Sequence, residues 1–265
     1  MNKYWVAFKT NLETHLEYRL NLFLQTIGVL IFFIGLIILW TAIYNGKTTI
    51  GDFTLNEMIT YLFLSGIIYG YGLYTSAGDE MDFWIKWGTL SPWLTKPFSV
   101  PIYWFIFDLT RRFFNLIAGL IAFFILFIFI SKYLILDVSI LTVFLVFFTM
   151  ILGGILSYLI FYPISLLAFW IEQTWGIRFV LRTIVNLFTG AIIPLSLLPG
   201  LLQKIILVLP FKYIIYFPVQ IFLGKIPTSQ IVYEIMIELV WILLLLTISI
   251  IVYNNGVRRY TAVGG

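Results

Sequence analysis

Apolar residues run through this chain in long blocks separated by short polar segments. Six stretches, residues 20–46, 58–78, 113–131, 138–171, 183–203 and 239–257, contain no Asp, Glu, Lys or Arg. A helix rising 1.5 Å per residue needs about 20 apolar residues to cross the hydrocarbon layer of a bilayer. Every backbone polar group in lipid must also be satisfied within its own segment. The pattern predicts an all-α integral membrane protein with six transmembrane helices. The block at 138–171 is too long for one span and too short for two joined by a turn. It predicts one span followed by an interfacial stretch beginning near Pro163.

Two further segments carry patterns of their own. Ahead of the first block, Trp5, Phe8, Leu12 and Leu16 recur at spacings of three and four, while Lys3, Lys9, Glu13 and Glu17 fall mostly elsewhere. That spacing predicts an amphipathic helix lying in the inner membrane interface. Between Pro194 and Thr228 the chain is apolar yet broken by Pro194, Pro199, Gly200, Pro210, Pro218, Gly224 and Pro227. Proline at that density excludes one continuous helix, and the apolarity excludes a solvated loop. An outer re-entrant hairpin between spans five and six is expected, with protein covering its broken backbone. No internal repeat or linker divides the chain, so residues 1–265 read as a single membrane domain. The first block is too long and too late for a cleaved signal peptide and is expected to persist as span one.

Composition agrees with the pattern. Hydrophobic residues make up 62% of the chain and charged residues 11%, with a mean hydropathy of +1.03, which excludes a water-soluble domain. An even number of spans puts both termini on one face. That face carries Lys3, Lys9, Arg19, Lys86, Lys96, Arg111, Arg112, Arg178, Arg182, Arg258 and Arg259, against Lys47, Lys132, Lys204, Lys212 and Lys225 opposite. The excess predicts cytoplasmic termini in the cytoplasmic (inner) membrane. The pI near 9.1 matches an anionic inner leaflet and gives no reason to invoke nucleic acid. With no cysteine in the chain, disulfides and thiolate metal sites are excluded.

Several motifs dissolve on inspection. Gly46-Lys47-Thr48 matches the end of a phosphate-binding loop, but the glycine needed five residues earlier is Thr41, so no nucleotide site is expected on this chain. Tyr69-Gly70-Tyr71-Gly72 is similar to a potassium filter but sits inside an apolar block with no separate pore helix. Packing accounts better for Gly66 and Gly70, a small-xxx-small pair that lets helices approach closely. His15 is the sole histidine, with no second ligand nearby for a metal. Asp79 and Glu80 lack the nucleophile or base that would complete a catalytic set.

Three polar groupings inside or beside the blocks stay open to two readings each. Asp108, Arg111 and Arg112 stand at i, i+3 and i+4 before the third block, able to pair with one another or to anchor the span topologically. Arg178, Arg182, Asn186 and Gly190 follow at successive i+4 positions, with Thr189 beside them; a stripe of this kind faces protein or water, as packing or as the lining of a substrate path. Glu234 and Glu238 precede a final block too short for a full span, which draws Glu238 into the outer membrane. These two carboxylates, one turn apart, then either pair with Lys212 or Lys225 or form a cation-attracting outer vestibule.

The most informative segment is a polar island at 78–101, GDEMDFWIKWGTLSPWLTKPFSVP, between the second and third blocks. Its acidic start (Asp79, Glu80, Asp82), then Ile85, Gly88, Leu90, Leu94 and Lys96-Pro97, resembles the segment between spans two and three in permease subunits of type-2 ATP-binding-cassette (ABC) exporters. Pro194, Pro199 and Leu209-Pro210-Phe211 resemble that class's outer region, and Arg258-Arg259-Tyr260-Thr261-Ala262-Val263-Gly264-Gly265 resembles the tail of one permease subfamily. The resemblance spans nearly the whole chain through loosely defined motifs in a fixed order.

The resemblance implies that the chain is not itself an enzyme. ATP and Mg would be bound by a separate ATPase subunit, with no cofactor on this chain, and a second permease would complete the transporter as a homodimer or a related heterodimer. Coupling to the ATPase would run through Glu80, Trp84, Trp87, Leu90, Trp93 and Lys96 of the island, with a second contact from Glu172 to Arg178. The tryptophans and Leu90 suit a groove on the ATPase, as aromatic anchors do at interfaces, although tryptophans also form interfacial belts. Acidic residues near the start of a short helix suit its dipole. The implied activity is export of an amphipathic drug, peptide, lipid or glycan by alternating access, with Asn186, Thr189, Gly190 and Glu238 as substrate-path candidates. The alternative is a secondary transporter driven by an ion gradient, with Glu238 as coupling carboxylate.

Overall fold

The computed structural model describes residues 3–17, 19–73, 79–96 and 99–260, without the side chains of residues 3, 14–17, 19–22, 25 and 79. The expectations for Leu16, His15, Pro97 and the tail after Tyr260 therefore lie outside the described residues. Among the described residues the chain is all-α apart from one hairpin of two short strands. Its helices are α1 (Lys3–Glu17), α2 (Arg19–Ile43), α3 (Leu55–Gly72), α4 (Asp79–Lys86), α5 (Ser91–Leu94), α6 (Val100–Ile130), α7 (Ile140–Leu166), α8 (Trp175–Phe188), α9 (Gly200–Val208), α10 (Tyr216–Phe222) and α11 (Thr228–Arg259). Four of them, α2, α6, α7 and α11, are long and apolar enough to cross a membrane. Between α2 and α3, β1 (Thr49–Ile50) pairs antiparallel with β2 (Phe53–Thr54). Thr54 then caps α3 in a reciprocal capping box with Glu57.

A central layer forms where α3 packs on α2, α6 and α7, with α10 laid against α7 and α3. Gly66 makes the first of these contacts possible: a Cβ there would overlap the Phe123 ring of α6 and crowd Phe33 of α2. The later part of the proline-broken region, from Pro210 to Ile221, is largely buried. Tyr213, Ile214, Ile215, Phe217 and Val219 are all at most 2% exposed, and the Tyr213 carbonyl lies where a Cβ on Gly153 of α7 would come within 2.7 Å. Gly190, at φ +80°, makes the turn out of α8 and gives its carbonyl to the buried Tyr61 hydroxyl.

Three expectations need correction. The helix α7 runs through Pro163 and ends at Leu166, because a proline in the last turn removes only one ladder bond and its ring is buried. The third apolar segment starts thirteen residues early: α6 begins at Val100, so Asp108 and Arg112 lie inside a packed helix, 1% and 2% exposed, where they pair as their spacing allows. The α1 helix forms but rests on α6 through Tyr4, Ala7, Phe8, Asn11 and Leu12, leaving Trp5 on the outside. Asn11 is buried and accepts a hydrogen bond from Tyr103 of α6 at 3.4 Å, so a polar residue holds the face that the apolar spacing assigned partly to Trp5.

Candidate functional site

The polar island folds into a plate. The α4 helix and the single-turn α5 meet at Gly88, whose φ of +73° allows the tight turn, and the Leu90 amide closes the turn on the Trp84 carbonyl at 3.1 Å. Hydrophobic spacing on α4 sends Met81 and Ile85 inward. With Leu90, both join a cluster that includes Trp104 of α6, Leu159 and Leu166 of α7, and Phe169. Met81 and Leu90 are fully buried. Leu90 therefore anchors the plate to its own chain and is not free to enter a groove on a partner. That corrects its assignment as a coupling residue; one long apolar side chain at a turn reads the same in sequence whether it points in or out.

Two of the tryptophans also serve the plate itself. Trp84 stacks on Trp93 at 4.9 Å between ring centroids and meets Trp104 edge-on at 4.6 Å. Trp93 continues the stack to Tyr103 at 4.6 Å, and the Lys96 ammonium caps it at 4.1 Å from the ring centre. Ser91 and Tyr260 share a hydrogen bond at 3.0 Å, which ties the end of α11 to α5. The outward aromatic pair is different: Trp87 is 70% exposed and Phe83, one turn earlier, is 52% exposed, with the rings 5.7 Å apart. Phe83 was not picked out from the sequence; its i, i+4 spacing from Trp87 is the signal that would have found it.

Asp82 joins the plate to α8. One carboxylate oxygen accepts from the Thr174 hydroxyl at 2.6 Å. The other accepts from Lys86 at 2.9 Å and lies 3.4 Å from the Arg178 guanidinium. Thr174 is fully buried. A second exposed aromatic pair follows it, Trp175 and Phe179, stacked at 5.5 Å, beside the exposed Glu172. Glu80 faces Arg111 at 3.8 Å. The structure therefore brings Glu80, Trp84, Trp87, Trp93, Lys96, Glu172 and Arg178 to one end of the helices, with Arg178 used as a strut toward Asp82.

The candidate substrate-path residues are not brought to one cavity. Asn186 is half-buried, and Thr189 and Gly190 are buried. The Thr189 carbonyl accepts from the Tyr216 amide at 3.0 Å, so this part of the stripe packs against the region around α10. Glu238 is fully buried, and neither of its carboxylate oxygens has a hydrogen-bond partner. Of the expected lysine pairs, Lys212 meets Glu234 at 2.7 Å, and the Tyr213 hydroxyl donates to the same carboxylate at 2.6 Å. Lys225 binds Glu57 at 2.8 Å. A cavity of about 640 Å³ does exist, among α6, α7 and α11 beside the plate, but none of the four candidates lines it.

Arg112, of the unresolved trio on α6, has a defined position. Its guanidinium pairs with Asp108 one turn back and donates to the carbonyls of Tyr71 at 2.8 Å and Gly72 at 3.0 Å, with Ser157 of α7 at 3.4 Å. Tyr71 and Gly72 end α3, where helix carbonyls lack intrahelical donors. Arg112 thus closes the helix that leads into the plate.

The sequence profile of the family described as ABC-2 family transporter protein matches residues 30–264. No curated protein matches the chain, and no solved structure does.

Proposed function

Given that the chain belongs to the ABC-2 transporter family and is a permease of an ABC transporter, we propose that it couples ATP hydrolysis on a separate ATPase subunit to export of an amphipathic drug, peptide, lipid or glycan. ATP and Mg bind the partner ATPase. Two permeases and two ATPase subunits form the working transporter. In this reading α3 and α8 complete six spans with α2, α6, α7 and α11, the segment 194–228 forms an outer re-entrant hairpin, and both termini face the cytoplasm across the inner membrane.

The observation that carries the proposal is the exposed Phe83–Trp87 pair on a plate that is otherwise fixed inward. Large apolar side chains held at a water-facing helix end suit a partner's groove, since exposed aromatic anchors dominate interface energetics. A force on this pair travels through Met81, Ile85 and Leu90 to α6 and α7, and through Asp82 to α8. Closure of two ATPase subunits would push on both plates and rock the spans between inward- and outward-facing states.

Purification from native membranes tests this. An ATPase chain should co-purify with the wild type and be lost from the Phe83→Ala/Trp87→Ala double variant, whose thermal unfolding should be unchanged because both rings are exposed. Retention of the ATPase chain by the double variant would overturn the assignment of the plate. The gradient-driven alternative predicts transport that survives without any ATPase and collapses with the proton or sodium gradient. Glu238 gives that alternative weak support, being sealed from the cavity.

A further inference from the structure

The cavity beside the plate has features that neither packing nor coupling explains. Its volume of about 640 Å³ falls within the range of ligand sites, roughly 300–1,000 Å³. Its walls are mostly apolar, with Phe105 of α6, Leu159 of α7 and Leu246 of α11 among them. Protein interiors leave few voids larger than a water. Polar side chains line it too, Ser99, Ser249 and Asn254 among them, and one lining residue, Tyr162, is 2% exposed with a buried hydroxyl that has no hydrogen-bond partner. Its stacked neighbour Tyr158, by contrast, uses its own hydroxyl on the Pro101 carbonyl at 3.4 Å.

The polar end of the cavity is at the plate. Ser99 and Asn254 line it there, and Leu94 of α5 forms part of its wall. Arg258 follows Asn254 by one helical turn, on the same face of α11, and is exposed with no ion pair among the described residues. Tyr162 sits one turn inside the end of α7. From that end inward, the site presents a cation, an amide, a buried hydroxyl donor and then an apolar chamber. An anionic glycerophospholipid offers the complementary order: phosphate, ester carbonyl, acyl chain.

We propose that this cavity binds an anionic phospholipid from the leaflet on the plate side, with its phosphate at Asn254 and Arg258, an ester carbonyl accepting from the Tyr162 hydroxyl, and one acyl chain between α6, α7 and α11. The lipid is a resident, not cargo. Because Leu94 belongs to both the chamber and the plate, the bound chain packs against the plate from within.

Native mass spectrometry of the purified full chain, titrated with dioleoyl phosphatidylglycerol or dioleoyl phosphatidylcholine, tests the site. The wild type should retain phosphatidylglycerol about 10-fold more tightly, the scale of one charge-assisted hydrogen bond. Arg258→Gln should abolish that preference. Tyr162→Phe should weaken retention of both lipids several-fold with no loss of thermal stability. Leu246→Trp, which fills the chamber from a partly exposed position, should lose both lipids, and Ile250→Phe should do the same if Leu246→Trp fails to fold. Equal retention by a folded chamber-filling variant and the wild type would overturn the site. ATP-driven movement of the lipid to the opposite leaflet, blocked by the same variant, would overturn its residence and make the cavity part of the export path.

Discussion

Arg112 donates a hydrogen bond to the Tyr71 carbonyl at 2.8 Å, so that a side chain of α6 closes the C-terminus of α3. The contact joins two helices forty-one residues apart in sequence at the point where the chain turns toward the plate. Asp108 balances the charge from one turn back, and Ser157 brings in α7. A buried ion pair of this kind matters mainly through what its loss leaves behind.

Removing the guanidinium alone should therefore be worse than removing both partners. Arg112→Met buries the Asp108 carboxylate without its guanidinium counter-charge, at a cost of about 3–5 kcal/mol. Asp108→Asn combined with Arg112→Met should recover part of that loss, a non-additivity expected of residues in contact. Unfolding of the detergent-solubilised protein measures both. A double variant at least as unstable as Arg112→Met would mean that the carbonyl caps, rather than the charge pair, dominate.

Asp82 is the strut between plate and α8, so its loss should uncouple the two without freeing the plate. Asp82→Asn keeps the shape but weakens bonds to Lys86, Thr174 and Arg178; each bond to a charged group is worth about 1.5–3 kcal/mol. Hydrogen exchange should rise in residues 79–94 and 174–182. Transport should fall by about tenfold or more while the ATPase chain stays bound. Unchanged exchange in the α8 segment would show that the strut carries no coupling.

The glycine pair on α3 separates into one tight and one open position. Gly66→Ala drives a methyl into the Phe123 ring and should cost about 1–3 kcal/mol as overpacking. At Gly70 the same methyl would sit 3.7 Å from the Asn115 carbonyl, an ordinary contact. Gly70→Ala should be neutral or stabilising by up to about 1 kcal/mol through helix propensity. Thermal melts of the two single variants are enough to check the contrast.

Glu234 and Glu238 stand one turn apart on α11 with opposite expected phenotypes. Glu234→Gln breaks the Lys212 and Tyr213 contacts and should cost about 1.5–3 kcal/mol. Glu238→Gln removes a buried carboxylate that has no partner and should leave stability unchanged or raised. Export should persist in Glu238→Gln. Loss of transport in this variant with stability intact would restore Glu238 to the substrate path or to ion coupling.

The sequence by itself determined the solvent of this protein, the approximate places of its long apolar helices and the position of its polar island. These follow from local quantities: uncharged runs long enough for lipid, proline density between 194 and 227, and an acidic start running into Trp84 and Trp87. It could not tell which side chains of the island point inward. Leu90 and Trp87 are both large and apolar and lie three residues apart, yet one is fully buried and the other 70% exposed, because the Gly88 turn reverses the chain between them. Nor could it say which lysine meets which glutamate, since Lys225 reaches Glu57 and Lys212 reaches Glu234 only after the short helical turns of 210–222 fold onto α7. Burial in lipid is decided residue by residue along the chain. Partner choice depends on distances between segments far apart in sequence, and only the tertiary packing sets those.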